Sequence, residues 1–368
     1  MAAARDTMTP CQRVLAAIRR EKVDRVPYVE HLFDPKIAIA LAGGERPEFD
    51  QGMLDACPSE WEVTDPEKCR DWPPGARKMG LRLGAADKWI SRVAKYRDNI
   101  LYWPAMQPFF VETVAAGGGS SRRGLIRTPA DLDRLRFPTL DDAFFAPAEA
   151  FVAQKEDLAA CAMVFLGIDP TWSSMGFENF CVSLAEDPDF VLEVLGRYVD
   201  WTVPVVKRLC EIGFDFLWMA DDIAFNSGPM FSPKMYRELL LPYTRRVAEA
   251  ITVPWVYHSD GDLTPLLDDM LTQGMDAIHP LEPGSMDPVA LKERYGSRIA
   301  LVGNINIDTL TLGSPEDVRE EVRQRIAELA PNGGYLVSSS NSVTEYCRPE
   351  NVRAMIDAVR EFGRDYDQ

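Results

Sequence analysis

The sequence predicts an α/β fold: a single (β/α)8 (TIM) barrel across residues 1–368, with an amino-terminal helical extension and an irregular insertion in its first half. Three observations predict it. From about Ala160 onward, short β-rich runs alternate with amphipathic helical stretches, six units in succession, a regularity that an α+β fold lacks. No glycine-rich dinucleotide loop follows any of the strands, so an open doubly wound sheet fits less well. Titratable residues stand where the apolar runs stop, as they do at the carboxyl ends of barrel strands.

The elements follow in order. Thr9-Pro-Cys-Gln12 caps a helix carrying Val14, Leu15 and Ile18, and Val26–Glu30 reads as a strand. Residues 45–150 are rich in Pro, Trp and charge without clean periodicity. Within them, Gly117-Gly-Gly119-Ser reads as a flexible loop, because it lacks the strand and helix that flank a phosphate cradle. Ala162–Ile168 is an apolar run ending in Asp169-Pro170. Asp187-Pro188 opens a long helix with Val191, Val194, Leu195 and Tyr198 on one face, ending near Gly213. Phe214–Ala220 is a strand ending in Asp221-Asp222, and Ser232-Pro233 opens the next helix. The apolar run from Val253 to Tyr257 stops abruptly at His258, Asp260 and Gly261, and a helix is expected near Thr264–Leu271. Asp276–His279 is a short strand ending in Pro280-Leu-Glu282-Pro, and Ile299–Gly303 ends in Asn304-Ile-Asn306. Ser314-Pro-Glu-Asp317 caps a helix with Val318, Val322, Ile326 and Leu329 on one stripe. Tyr335–Val337 leads into Ser338-Ser-Ser-Asn341, and Pro349 opens the last helix.

Composition narrows the function. The chain has 368 residues, is 46% hydrophobic, and has no apolar run long enough to span a bilayer. Its start, Met-Ala-Ala-Ala-Arg-Asp, lacks the apolar core of a secretory signal. Seven cysteines are scattered with no Cys-x-x-Cys pair, which points to reduced thiols in the cytoplasm rather than disulfides or a thiolate metal site. A formal net charge of −17 argues against nucleic acid or an anionic membrane surface as partner.

The strand ends collect Glu30, His31, Asp169, Asp221, Asp222, His258, Asp260, His279, Glu282, Asn304, Asn306 and Asn341. All three histidines of the chain are among them. Imidazole beside several carboxylates suits general acid/base work or a zinc site of nitrogen and oxygen ligands. The plainer reading of Asp221-Asp222 is a loop that caps the next helix, and that of His258 a satisfied strand-end histidine. Trp172, Phe225 and Met230, close after strand ends, are candidates for an apolar slot, with ordinary loop packing as the alternative for each.

With these residues in view, the chain resembles the uroporphyrinogen decarboxylase superfamily. The similar stretches are Asp24-Arg-Val-Pro27, Met219-Ala-Asp-Asp222, Ser232 through Leu239, His258-Ser-Asp-Gly261, Pro280-Leu-Glu-Pro283, Asp287 through Gly296, Gly303-Asn-Ile-Asn306, Gly333-Gly-Tyr335 with the serines up to Asn341, and Pro349-Glu-Asn-Val352. The resemblance is densest over 160–365. It implies a barrel with an open carboxyl-end funnel. The superfamily holds true decarboxylases and methyltransferases that work with corrinoid proteins. The true decarboxylase carries arginines after its first strand to grip the porphyrinogen carboxylates; here Val26 through Asp34 has no arginine and two acids. Its histidine near the last strand is replaced by Asn341. The coenzyme M methyltransferases hold zinc with a His-x-Cys pair and a later Cys, where this chain has His258-Ser-Asp260 and Asn341.

Oxygen ligands leave zinc harder and more Lewis-acidic than thiolates do. The resemblance therefore implies an O-demethylase-like methyltransferase. It would move a methyl group from a small methoxylated, aromatic substrate to the cob(I)alamin of a partner corrinoid protein. Asp222, Glu238 and His258 match the zinc set of aryl-ether demethylating members, with Asp260 the substitute for Glu238. His258, Asp222 and Asp260 are the expected catalytic groups. His31, Trp172, Phe225, Met230, His279, Asn304 and Asn341 are expected to line the substrate. The expected partners are the methyl donor and the corrinoid protein, with a homodimer left open. A metal-free barrel using Asp222 or Asp260 as general acid, a decarboxylase of a carboxylated substrate, and a scaffold are the rival readings.

Overall fold

The computed structural model describes residues 6–30, 34, 37, 40–41, 100–103, 111–116, 119–153, 155–364 and 366. Its strands are β1 (Ile100–Trp103), β2 (Val111–Ala116), β3 (Gly119–Gly124), β4 (Ala159–Phe165), β5 (Phe216–Ala220), β6 (Ala224–Phe225), β7 (Gly228–Pro229), β8 (Trp255–His258), β9 (Ala277–His279), β10 (Ala300–Ile305) and β11 (Tyr335–Ser339). Seven of them form one sheet in the order β1-β4-β5-β8-β9-β10-β11, every neighbouring pair parallel. Beyond β11 the sheet reaches the segment before Glu30. Tyr28 bridges Val337 in parallel; Val29 N–H donates to the Val337 carbonyl and Val337 N–H to that of Pro27, both at 2.9 Å. Chain order around the sheet is that of a (β/α)8 barrel. Among the described residues no pair joins the Tyr28 segment to β1, so the ring stays open at that seam.

Period-two alternation divides the strand side chains. Val29, Cys161, Phe216, Trp218, Val256, Ala277, Ala300, Val302 and Leu336 form one buried cluster inside the barrel. Val14, Ala17 and Ile18 of helix α1 (Pro10–Ile18) belong to the same cluster, so α1 plugs the barrel at its amino end. The intervening residues, among them Leu217, Met219, Tyr257, Ile278, Leu301 and Val337, pack outward against the helices.

Several helices start for reasons visible in the sequence. Thr9 and Ser314 each close a capping box, and Asp187 accepts the Phe190 N–H of the helix Pro188–Ile212. That helix ends at Gly213, whose φ of 102° is left-handed. The stripe Val318, Val322, Ile326 and Leu329 is buried.

Three readings need correction. Of the Gly117–Ser120 run read as a loop, Gly119 and Ser120 belong to β3, paired antiparallel with β2, while 117 and 118 lie outside the described residues. The last strand extends through Ser338 and Ser339 because pairing with β10 continues that far. The helix expected near Thr264 covers only Leu267–Met270, followed by a 3-10 turn Leu271–Gln273. Asp262 accepts the Thr264 N–H at 2.9 Å and holds the preceding residues in a turn. Most of the irregular insertion, and His31, lie outside the described residues. Among those described, no helix is long and apolar enough to cross a membrane.

Candidate functional site

The same alternation that fills the barrel aims its uppermost side chains. His258 stands two residues beyond Val256 on β8, His279 two beyond Ala277 on β9, Asn304 two beyond Val302 on β10, and Ser338 two beyond Leu336 on β11. All four are therefore interior residues of the carboxyl end, and all are buried. Neighbouring strands bring the two histidines together, with ring centroids 4.9 Å apart and Nδ1 to Nδ1 at 2.7 Å. The Trp218 ring meets His279 edge-on at 4.7 Å and floors this layer. His279 Nε2 lies 3.5 Å from Ser338 Oγ, whose hydroxyl donates to Glu30 at 3.1 Å. Glu30, wholly buried, also accepts from Ser339 N–H (3.0 Å), Ser339 Oγ (2.9 Å) and Tyr28 Oη (3.3 Å). It thereby ties the first strand segment to the last.

Asp221 and Asp222 are adjacent but do different work. Asp221 turns away and accepts the N–H groups of Gly167 (3.2 Å), Ile168 (2.9 Å) and Asp169 (2.9 Å), capping helix α2 (Ile168–Met175). The capping role is real, but for the helix after β4 rather than the next one. Burial pushes Asp221 up to about 7 against the pull of these three donors. Asp222 faces the mouth, with Oδ1 3.9 Å from His258 Nε2 and accepting the Asp260 N–H at 3.0 Å. Its carbonyl takes the Trp172 indole N–H at 3.0 Å.

Asp260 Oδ2 accepts from Asn341 Nδ2 at 2.8 Å, while its Oδ1 is buried without a partner. Burial pushes Asp260 up to about 6; His258 pulls it down, the like charges of Asp222 and Glu282 add to the rise, and Asn341 opposes it. Asp169 is driven well above the carboxylate range by burial, then by the charges of Asp222 and Asp221. Gly261 lets the loop close: its φ is 84°, and a Cβ there would sit 2.7 Å from backbone atoms of Ala224 and Phe225. Its N–H donates to Glu282 at 3.1 Å.

Asp222, His258 and Asp260 each offer a ligand atom, all within 4.8 Å of one another. Glu238 is not part of this group. It lies on the helical stretch Tyr236–Leu240 and is exposed, two residues from each of the buried Tyr236 and Leu240 and so turned away from the barrel. Asp260 takes the third place instead. Asn341 joins the site through Asp260, whereas Asn306 caps the helix Ile307–Leu312 and is structural. Asn304 is buried with its Oδ1 unpartnered.

The mouth is rimmed by rings. Trp172 meets Phe177 edge-on at 6.0 Å, and Phe177 meets Phe225 edge-on at 5.6 Å. Phe177 and Phe225 are exposed. Met230 is half-buried, its N–H bonded to the Ile223 carbonyl beside the β6–β7 hairpin. Sequence reasoning passed over Phe177, although its position just after Gly176 at a helix start was a usable signal. It also passed over Ser338, which the serine run disguised.

Known proteins share this frame. A methyltransferase from Methanosarcina mazei of known structure superposes with a TM-score of 0.69, covering 96% of this chain and 99% of that one at 18% identity. In sequence, the chain is 28% identical over 365 residues to the methylated-thiol–coenzyme M methyltransferase of Methanosarcina mazei, 96% of this chain and 90% of the relative. It is 24% identical over 260 residues to the uroporphyrinogen decarboxylase of Chloroherpeton thalassium, 66% of this chain and 72% of the relative. The uroporphyrinogen decarboxylase (URO-D) profile matches residues 117–362, and the chain belongs to that family.

Proposed function

We propose that residues 1–368 form one barrel domain and that it acts as a corrinoid-dependent methyltransferase. It takes a methyl group from a small methoxylated aromatic compound and delivers it to the corrinoid of a separate protein. The observation that carries this reading is the convergence of Asp222, His258 and Asp260 at the barrel mouth. The likeness to a methyltransferase over 96% of the chain supports the reaction class.

One imidazole and two carboxylates are a donor set that fits zinc. The buried, unpartnered Asp260 Oδ1 supports this, because a buried carboxylate oxygen is stable when paired or bound to a metal. Asp222, His258 and Asp260 would hold the zinc, and when bound it would supply a Lewis acid for the ether oxygen. Breaking the methyl–oxygen bond leaves an alkoxide or phenoxide, a poor leaving group at neutral pH unless its charge is met. With no metal bound, Asp260 would take that role in its place: its raised proton affinity lets it hold a proton at Oδ1 and pass it to the departing oxygen. Asn341 orients that carboxyl through Oδ2. Trp172, Phe177 and Phe225 offer edges and faces to an aromatic ring. Asn304 Oδ1 offers an acceptor to a phenol hydroxyl. The corrinoid supplies the nucleophile for the methyl carbon.

Decarboxylation of a carboxylated substrate is the second reading, favoured by the 24% identity to a uroporphyrinogen decarboxylase. It is disfavoured because Asp169, Asp222, Asp260 and Glu282 converge where a polycarboxylate would have to enter. The test mixes zinc-loaded protein with 2-methoxyphenol and free cob(I)alamin as acceptor. Enzyme-dependent loss of the cob(I)alamin absorption with release of catechol is expected. Transfer from methylated thiols but from no aryl ether would discard the substrate class and keep methyl transfer. Turnover of uroporphyrinogen with release of carbon dioxide would overturn the reading.

A further inference from the structure

We infer that Ser259 is a positioning residue: its hydroxyl clasps the chain after Asp222 to the chain at Asp260 and so fixes the spacing of the two carboxylates that stand beside His258 at the barrel mouth.

Asp222 and Asp260 leave the barrel on different strands, β5 and β8, whose parallel pairing ends at Ala220 and His258. Beyond that pair the Asp221 N–H still donates to the His258 carbonyl at 2.9 Å. One step further the ladder gives way to a side chain. Ser259 is wholly buried; its Oγ accepts the Ile223 N–H at 3.1 Å and donates its one proton to the Asp260 carbonyl at 2.9 Å. The Asp260 N–H in turn donates to Asp222 Oδ1 at 3.0 Å. These bonds close a small ring through Asp222, Ile223, Ser259 and Asp260. Both neighbours of Asp222 are thereby held: Asp221 by the three N–H groups that its carboxylate accepts, Ile223 by Ser259. Asp222 is left to turn the other way from Asp221, toward the mouth, which is how two adjacent aspartates come to face different places. The same contact continues to the aromatic rim, where the Asp262 N–H donates to the Phe225 carbonyl at 2.9 Å and Gly261 packs against Ala224. Every bond of the ring is made by the protein's own atoms. The spacing is therefore a property of the fold, the preorganisation that a ligand-binding pair of carboxylates needs. Removing the hydroxyl would strand the Ile223 N–H, a buried donor, and free the two loops to part.

The link to zinc rests on the zinc reading above, whereas the clasp does not, so the two are measured apart. Amide exchange followed by NMR on the metal-free protein reads the clasp. The Asp260 N–H bonds to Asp222 rather than to Ser259, so its exchange rate reports the spacing of the carboxylates and not the loss of the hydroxyl itself. Ser259→Ala should speed it at least about 10-fold. Competition with a chromophoric chelator reads zinc, whose affinity should fall about 10- to 100-fold in the same variant. Asn306→Ala is the control for general loosening: it unhooks the helix Ile307–Leu312 and should change neither quantity. An unchanged Asp260 exchange rate in Ser259→Ala overturns the inference. So does zinc bound as tightly by that variant as by the wild type, or an equal loss in Asn306→Ala. A wild type that binds no zinc sinks the zinc reading and leaves the exchange measurement to decide on the clasp. Tight zinc binding with Asp260 exchange unmoved by Ser259→Ala keeps the zinc reading and discards the clasp. Should Ser259→Ala fail to fold, the wild-type protein decides: slow exchange at both Ile223 and Asp260 is expected, and exchange there as fast as in an open loop overturns the inference.

Discussion

Asp24 and Asp260 are aspartates at opposite ends of one barrel, and their surroundings push them in opposite directions. At the amino end Asp24 sits beside the plug helix α1 and faces Arg13, which is fully buried. Arg13 Nε donates to Oδ1 at 2.6 Å and Nη2 to Oδ2 at 2.9 Å, while Thr7 and Met8 N–H groups donate at 2.8 and 2.9 Å. Burial alone would raise Asp24, but Arg13 and these N–H groups hold it well below the usual carboxylate range. At the carboxyl end Asp260 faces Asp222 and Glu282, keeps one oxygen unpartnered, and is pushed up to about 6. Both ends bury acidic groups. The amino end gives Asp24 a guanidinium and two N–H groups; the carboxyl end leaves the acceptor oxygens Asp260 Oδ1 and Asn304 Oδ1 unmet among like charges and so can take a ligand.

The comparison breaks most sharply at His258. His258→Ala removes the only imidazole of the three-residue group and should cost methyl transfer at least about 100-fold. The melting temperature should fall by a few degrees, since the side chain is buried and its loss removes the 2.7 Å contact with His279, whereas activity per folded molecule falls much further; an assay of cob(I)alamin consumption beside a thermal melt checks both. The mirror experiment is Arg13→Met, which strands Asp24 beside the plug. Removing one partner of a buried pair costs about 3–5 kcal/mol, read from urea denaturation, while activity per folded molecule should hold. Loss of activity without loss of stability there would erase the distinction between the ends.

A pH series sharpens the contrast. Asp24 binds protons less readily folded than unfolded. Its stabilisation is present above the unfolded value of about 4 and is lost as pH falls through the lower folded one. Asp260 has the opposite sign, because its folded value of about 6 lies above the unfolded one. Its cost is absent below about pH 4, grows between about 4 and 6, and is full above. Asp260→Asn should therefore gain stability over wild type as pH rises through that window, by on the order of 2–3 kcal/mol at neutral pH. A difference that stays flat from pH 4 to 7 would show that Asp260 is not strained. The smallest effect is expected from Trp172→Phe, which keeps the ring and loses the N–H to the Asp222 carbonyl. About 1 kcal/mol of stability and a few-fold rise in KM should follow, measured with the aryl ether.

Much of this was legible from the order of residues. Apolar runs that stop at Asp221, His258 and His279 marked strand ends, because a buried strand can meet polar groups only where it leaves the core. Caps at Thr9, Asp187 and Ser314 are local hydrogen bonds within three residues, so composition alone predicts them. Glu238 was misjudged because a helix offers its residues to every direction, and only packing of Tyr236 and Leu240 decides which one faces outward. Asp221 and Asp222 are neighbours of identical chemistry. Their division into a helix cap and a carboxylate facing the mouth depends on the Gly167–Asp169 backbone, 52 residues and more away in sequence.

By itself, then, the sequence determined the alternation of strands and helices and the set of polar residues at the strand ends. Both follow from periodicity and from interactions between near neighbours. Which of those residues meet was decided only by tertiary structure. His258 touches His279 because β8 lies beside β9, and Glu30 reaches Ser338 because the first segment pairs with the last strand, 308 residues on. Contacts of that kind depend on strand order and register around the barrel, and no local pattern in the chain encodes them.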